Sequence, residues 1–362
     1  MRYLNSAALC APHPDAEREV ASTLREFQQY LYSEAGIRWY VEKAQTCREH
    51  VARLLHVSDP SRIAFVPNAS TANHLVLASL PWTTDDHVIT CTHENPSILR
   101  SLQALTARGV HLHTVAPTSS ETLMRDIEQL LALHTIKAIV LSHVSHVDGR
   151  IFPILEIGEL AHAHDVLFIV DGAQAVGHIP VDLRQWTGDI YFFTGHKWCQ
   201  GPLGTGALVM HEHFLQLHPT FGMEWLEQAK PRAAAFEIGT HNIGLIAGLA
   251  KACEIKYAEG LPSPHLVKLR EQAMSQLTQH PALSIQEWEG PHAPGILTFQ
   301  CRQPNTHQAL ISEASRWMIV FKIFTDYPEG ETPLIRLSWA GKTSESDLAF
   351  ALKKIQACLS RA

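Results

Sequence analysis

The chain has 362 residues, 46% hydrophobic and 18% charged, which is enough to bury a large core and to build a second, smaller one. Twenty-nine Lys and Arg against 36 Asp and Glu give a net charge of -7 with neutral histidines, which argues against a nucleic-acid or anionic-membrane surface. The N-terminus lacks a charged region followed by an apolar core, no apolar run is long enough to span a bilayer, and seven cysteines without a C-x-x-C pair fit reduced thiols, so a cytoplasmic protein is expected.

Residues 15 to 55 carry the spacing of two helices. From about 60 to 210, short apolar runs at 63–66, 87–90, 138–141, 166–170 and 190–193 alternate with helical spacing such as 96–107 and 154–164. That is the βαβ rhythm of a mostly parallel sheet covered by helices. Residues 244–258 predict a further helix, and Pro262 and Pro264 mark a break after it. Strand-like runs at 295–299, 319–324 and 334–339 among helices then predict an α+β unit.

Three places in this frame carry residue types suited to chemistry. Between 66 and 73 the chain passes from strand to helix through small, capping-type residues that include Ser70 and Thr71. A first helical turn offers free N–H groups and a positive dipole end, which suit a phosphate, although the same residues serve as a plain N-cap. The run 166–170 ends in Asp171, with Gln174 three residues later. An aspartate at the carboxyl end of a strand can keep a pyridine nitrogen protonated, or can cap a helix. A further strand ends in Thr194-Gly195-His196-Lys197 and runs into Gly201-Pro202-Leu203-Gly204-Thr205-Gly206. A lysine there has the surroundings of a Schiff-base lysine, since an amine becomes nucleophilic once burial or a nearby cation lowers its pKa. A solvated surface lysine fits poorly between an apolar strand and tight glycine turns.

Four segments in order, 170–174, 194–206, Glu237-Ile238-Gly239-Thr240 and Ile335-Arg336-Leu337-Ser338, make the chain resemble, over nearly its whole length, the class V aminotransferase group of fold-type I enzymes, which includes cysteine desulfurases and cysteine lyases. The resemblance implies an α/β fold with a mostly parallel seven-stranded-type sheet in a large domain over 15–255. It also implies a smaller α+β domain made of 1–14 with 256–362, and pyridoxal 5'-phosphate as cofactor. By the same resemblance Ser70, Thr71, Thr194 and His196 hold the phosphate, Asp171 pairs with the ring nitrogen, Gln174 donates to the ring hydroxyl and Lys197 is the catalytic lysine. Thr240 reaches the phosphate of a neighbouring subunit, which makes the active unit a homodimer with shared sites. Arg336 grips the carboxylate of a small amino-acid substrate. Asn95 falls where relatives place a ring over the cofactor, with His93 one small shift away, and His146 falls where many have an asparagine.

A persulfide-forming desulfurase needs a mobile thiolate in the loop before the carboxylate-binding arginine, and 321–335 contains no cysteine. The expectation is therefore a β-eliminating carbon-sulfur lyase acting on a cysteine-like substrate without a persulfide cysteine. An aminotransferase or epimerase would use the same residues, and a cofactor- or metal-binding protein without turnover is the alternative from another class. The 23 histidines include the pairs His111/His113, His162/His164 and His211/His213, but no cysteine or carboxylate joins a pair at ligand spacing, so compositional bias is preferred and no metal is expected. Gly341-Lys342-Thr343 imitates the end of a phosphate loop, but the leading glycine that the motif requires is Arg336.

Overall fold

The computed structural model of the chain describes residues 1–31, 33–217, 232–278, 280–285, 288–302, 306–325 and 333–359. A short strand, β1 (Arg2–Tyr3), precedes the helices α1 (Pro14–Phe27) and α2 (Glu34–Leu55). The alternating segment follows as β2 (Ile63–Val66), α3 (Ala69–Ser79), β3 (His87–Cys91), α4 (Pro96–Thr106), β4 (His111–Val115), α5 (Ser120–Leu133), β5 (Ile136–Ser142) and α6 (Ile154–Ala163). After these come β6 (Leu167–Asp171), β7 (Ile190–Thr194), β8 (Gly206–Met210), α7 (Glu212–Leu217) and α8 (Ile243–Glu259).

Strands β2 to β8 form one seven-stranded sheet in the order β2-β8-β7-β6-β5-β3-β4. Only β8 runs against its neighbours, and the other ladders are parallel. This is the mostly parallel α/β sheet expected from the apolar runs. Side chains alternate between two buried clusters, with Phe65, Ile89, Tyr191 and Phe193 on one face and Ala64, Val88, Ile190 and Phe192 on the other. Residues of α2, α5, α6 and α8 cover the first face, and α3 and α4 the second. A sheet covered on both faces demands strands that are apolar throughout, which is why the central runs lack polar alternation. Two strands of this sheet escaped the sequence pattern. In β4, the edge strand, His111 and Thr114 are exposed, and β8 starts on the glycine that closes the turn after Lys197.

Helices α1 and α2 pack against α8, which is buried nearly all round. Gly244 and Gly248 lie one turn apart, and a Cβ on either would meet Leu24 or Val20 at 2.5–2.6 Å, so their small size sets the helix separation. At the far end of α2, Arg48 is buried, donates to the Ile63 carbonyl (3.0 Å) and pairs with Glu237 (2.5 Å), whose carboxylate also accepts from the Phe65 N–H. One ion pair thus joins α2, β2 and the segment leading to Thr240.

The remaining elements are α9 (Pro264–Leu277), β9 (Leu283–Ile285), β10 (Ile296–Cys301), α10 (Thr306–Arg316), β11 (Ile319–Val320), β12 (Lys322–Phe324), β13 (Leu334–Ser338) and α11 (Glu345–Leu359). An antiparallel sheet β12-β13-β10-β9 packs with α9, α10 and α11 around a third cluster, which includes Leu4. β1 pairs in parallel with β11, and Ser338 N–H donates to the Leu4 carbonyl at 2.9 Å. The chain then crosses to the lysine turn, where Cys10 N–H donates to His196 (2.9 Å) and His13 N–H to Gln200 (2.8 Å). The N-terminal segment therefore ties β13 to the turn that carries Lys197. Among the described residues, no helix is long and apolar enough to cross a membrane.

Removing one partner of a buried ion pair strands the other charge in a dry place. Arg48→Ala is expected to lower the unfolding free energy by about 3–5 kcal/mol, measured by urea denaturation followed by circular dichroism. A loss under about 1 kcal/mol, the level of an exposed pair, would show that the Glu237 contact is solvated.

Candidate active site

The carboxyl ends of β5, β6 and β7 lie side by side, with Ser142 opposite Asp171 and Asp171 opposite Phe192. In open parallel sheets this is the edge where ligands bind. Just past it, Gly172 packs so closely that a Cβ would lie 2.2 Å from the Tyr191 ring, which forces a residue without a side chain beside Asp171. Asp171 is buried, and its Oδ1 accepts from the Ala173 N–H at 2.8 Å. Burial raises its pKa, and the charge of Lys197 opposes that rise. The lysine turn is pinned by Gly195 N–H to Thr205 (2.8 Å), Gln200 N–H to Lys197 (3.0 Å) and Gly201 N–H to Gly195 (2.8 Å). Burial lowers the Lys197 pKa and Arg336 adds to this, while Asp171 and Cys10 pull it back. An amine depressed by burial beside an anion is suited to nucleophilic and proton-transfer work.

At the amino end of α3, Asn68 caps the helix, its Oδ1 accepting from the Thr71 N–H (2.8 Å) and hydroxyl (3.1 Å). The first intrahelical bond runs from Ala72 N–H to the Asn68 carbonyl, so the N–H groups of Ala69 and Ser70 precede the ladder and face outward. Ser70 is exposed and Thr71 half-buried. Thr194 Oγ1 lies 2.8 Å from His196 Nδ1. Burial, helped by Lys197, lowers His196 to about 4, so its ring is neutral. Thr240 is exposed and borders a cleft with Pro67 and Gly206.

Above the sheet edge, Asn95 is half-buried at the N-cap of α4, its oxygen accepting from the Ser97 N–H (3.0 Å) and hydroxyl (2.9 Å). His93 lies inward, 3.9 Å from Asp148, and burial lowers it to about 4. His146 is largely buried and its Nδ1 has no hydrogen-bond partner. Burial and then the charges of Arg336 and Lys197 push it down to about 3, so His146 belongs to the same electrostatic neighbourhood as the lysine and the arginine. Of the two candidates for covering a cofactor ring, Asn95 spends its side-chain oxygen on the cap of α4, while His93 lies against Thr92 and Asp148.

Gln174 is buried, its amide nitrogen donating to the Ala7 carbonyl (2.9 Å) and its oxygen accepting from Trp198 Nε1 (2.7 Å). It anchors the N-terminal segment and keeps one N–H for a ligand. Arg336 enters from β13 and is 3% exposed. It donates to the His146 carbonyl and to Asn5 Oδ1 (3.0 Å), and its Nε is buried without a partner. Burial lowers it to about 10. Among the described residues no carboxylate pairs with it, so this guanidinium retains donors for an anion. These residues fit pyridoxal phosphate and an amino-acid carboxylate: N–H groups for a phosphate, a buried carboxylate for a ring nitrogen, an amine of depressed pKa, and an arginine lacking an anion.

The sequence pattern missed several supporting residues. Tyr191, whose ring lies against Gly172, has its hydroxyl 2.9 Å from His143 Nδ1. Buried Glu94 accepts from the Ser142 N–H and hydroxyl, both at 2.6 Å. Asn5 meets Arg336 from 331 positions away, which no local pattern could reveal. His178 stacks on Trp198 at 3.6 Å and accepts from Gly295 N–H (2.8 Å), linking the lysine turn to the chain entering β10. All seven cysteines are buried. Of the loop before Arg336, where a persulfide-forming thiolate would sit, residues 326–332 lie outside the described residues.

A family model described as aminotransferase class-V matches residues 31–313. A cysteine desulfurase of Escherichia coli O157:H7 is 30% identical over 328 residues, covering 83% of this chain and 77% of its own. A probable cysteine desulfurase of Halalkalibacterium halodurans is 30% identical over 278 residues, 72% of this chain and 67% of its own. Among solved structures, a cystine C-S lyase in complex with cysteine persulfide superposes with a TM-score of 0.85 at 23% identity, covering 98% of this chain and 97% of its own. The cysteine desulfurase of Thermococcus onnurineus NA1 does so at 0.84 and 21%, covering 99% and 95%. At these identities the superpositions establish the shared fold.

Burial raises the Glu94 carboxyl from 4.5 to about 7 against the lowering effect of its bonds to Ser142. A group whose folded pKa is raised adds stability that is full below its unfolded value and is lost as pH rises through the folded one. Between about 4.5 and 7, the unfolding free energy of the cofactor-free protein is expected to fall by up to about 3 kcal/mol more than that of Glu94→Gln. Urea titrations across that range check it, and parallel pH profiles for the two proteins would contradict it.

Proposed function

The chain belongs to the class-V aminotransferase family and is a pyridoxal phosphate-dependent enzyme, and from that premise we propose that it cleaves the carbon-sulfur bond of a cysteine-like amino acid by β-elimination, without a persulfide-carrying cysteine. For cysteine the balance is one water consumed and one pyruvate, one ammonia and one hydrogen sulfide released. Bound pyridoxal phosphate supplies the electron sink that acidifies the substrate Cα–H. Asp171 would hold the ring nitrogen, and the N-terminus of α3 with Thr194 and His196 would hold the phosphate. Lys197, its amine depressed by burial, takes the Cα proton as general base and can return it as general acid.

The observation that carries the substrate class is the buried Arg336 guanidinium with neutral oxygens as partners and a free Nε. A planar fork of donors recognises a carboxylate in two-point fashion and fixes the amino acid's orientation over the lysine. Burial of every cysteine supports elimination over sulfur transfer to the chain, since burial pushes Cys10 to about 12 and Cys301 to about 11. A thiol held neutral and enclosed is a poor sulfur acceptor. The curated relatives named cysteine desulfurases and the fold neighbour named a cystine C-S lyase agree on the bond to be broken.

The enzyme is proposed to work as a homodimer in the cytoplasm, where unpaired thiols are stable. Thr240 stands exposed beside exposed Ile238, and the Tyr40 hydroxyl of α2 donates to the neighbouring His241 carbonyl (3.0 Å). On the same helix Ile37 and Val41 are exposed, an apolar strip that a second subunit would cover while Thr240 reaches its phosphate. Residues 15–255 would form the cofactor-binding domain, and 1–14 with 256–362 the smaller one that delivers Arg336.

The test is to offer the purified enzyme cysteine, cystine and other small amino acids while following cofactor absorbance, pyruvate, sulfide and keto acids. Pyruvate and reduced sulfur released together without an amino acceptor or an added thiol are expected, with Lys197→Ala inactive but folded. Keto acid formed only when an amino acceptor is present would establish an aminotransferase instead, and sulfur recovered on a cysteine of the chain would establish the persulfide route. Arg336→Lys, which keeps the charge and loses the fork, is expected to lower kcat/KM by about 10–100-fold through KM with cofactor absorbance retained. An unchanged KM would place the carboxylate elsewhere.

A further inference from the structure

The amino-terminal end of the seven-stranded sheet, opposite the lysine site, gathers four imidazoles. His87 opens β3, His111 and His113 share a face of the edge strand β4, and His134 caps the carboxyl end of α5 just before β5. The parallel register sets His87 opposite His111. The ring of His87 stacks on those of His111, His113 and His134 with centroids 4.5, 5.0 and 4.8 Å away, and the rings of His113 and His134 are 4.6 Å apart. One nitrogen from each of His87, His113 and His134 lies within 4.8 Å of the other two, and His87 Nδ1 is 2.7 Å from His113 Nε2.

We propose that His87, His113 and His134 form a binding site for a late first-row divalent transition-metal ion of the zinc, nickel or copper class. Imidazole is the donor these ions prefer, and a site without a carboxylate or thiolate disfavours magnesium and calcium. Of the two acids that precede His87, Asp86 is already engaged, pairing with Lys137 at 2.6 Å. In a tetrahedral site with metal-nitrogen bonds of about 2.0–2.1 Å, the ligand nitrogens stand roughly 3.3 Å apart. No separation here exceeds 4.8 Å, and the 2.7 Å between His87 and His113 is shorter than a shared metal allows, so ring rotations close the site and break that contact.

The backbones that carry the ligands are already fixed. His111 N–H donates to Asp86 (2.8 Å), His134 N–H to Leu130 (3.0 Å) and Ile136 N–H to the His134 carbonyl (3.0 Å). The carboxyl end of α5 also presents the negative pole of the helix to the cluster. Three half-buried ligands leave a fourth position open, beside exposed His111. The ion would join β3, the edge strand β4 and the entry to β5, stapling the weakest margin of the sheet.

The holoenzyme, stripped with a chelator and desalted, would be titrated calorimetrically with zinc and with nickel, and its thermal midpoint followed with and without metal. One ion per chain is expected in this cluster, together with a metal-dependent rise in the midpoint. In His87→Asn and in His113→Asn the affinity should fall at least about tenfold, since losing even a partner behind a ligand costs that much. His164→Asn, at the exposed carboxyl end of α6, should bind as the wild type does. Cofactor absorbance reports that each variant is folded, and His134→Gln replaces any strand variant that is not. Absence of binding to the wild type, or equal binding by wild type and cluster variants, overturns the site.

Discussion

Placement of charge in a largely dehydrated place governs this molecule. Lys197 and Arg336 bring two potential positive charges to the sheet edge, and Asp171 brings one negative charge. The imidazoles of His93, His146 and His196 are all held neutral by burial. Isolated charge in such a place is costly, so the arrangement is relieved by an anion that enters with the ligand. The Lys197 amine is depressed by the same burial that leaves Arg336 with unspent donors. The depressed amine and the unspent guanidinium donors thus come from one physical cause.

Holding those charges together requires the two ends of the chain to meet. β13 brings Arg336 from the antiparallel sheet, and the bond from Ser338 N–H to the Leu4 carbonyl ties that sheet to the first residues. The next residues bond to the lysine turn, and the Ala7 carbonyl takes a hydrogen bond from Gln174, whose oxygen is held in turn by Trp198. The residue that the resemblance assigns to the cofactor is therefore also the clamp for the N-terminal segment. The stacked pair His178 and Trp198 extends the clamp to Gly295, where the chain enters β10. The histidine cluster lies at the opposite end of the seven-stranded sheet and shares none of these contacts.

Which features were legible in the sequence follows from the range of the interaction behind each. The central strands were readable because burial on both faces leaves unbroken apolar runs, as at 166–170 and 190–193. β4 was not, because at the sheet edge its side chains are half solvated and its pattern is polar. Lys197, Asp171 and the 66–73 segment sit at strand ends, where a local change from apolar run to glycine or capping residue leaves a mark. Glu94 and Tyr191 left none, since each looks locally like a helix-flanking acid or a core ring.

The sequence by itself determined the mostly parallel sheet, the family, the cofactor and the strand-end positions of its reactive residues, because period, turn chemistry and short motifs are encoded within a few residues of one another. Tertiary structure alone decided what lies beside what. It put Asn5 on Arg336, left that arginine without a described anion, turned His93 inward while Asn95 capped a helix, and brought His134 to His87 and His113. Those proximities are made by strand order and by the return of the N-terminus to the last strand, which act over tens to hundreds of residues and leave no trace in local spacing.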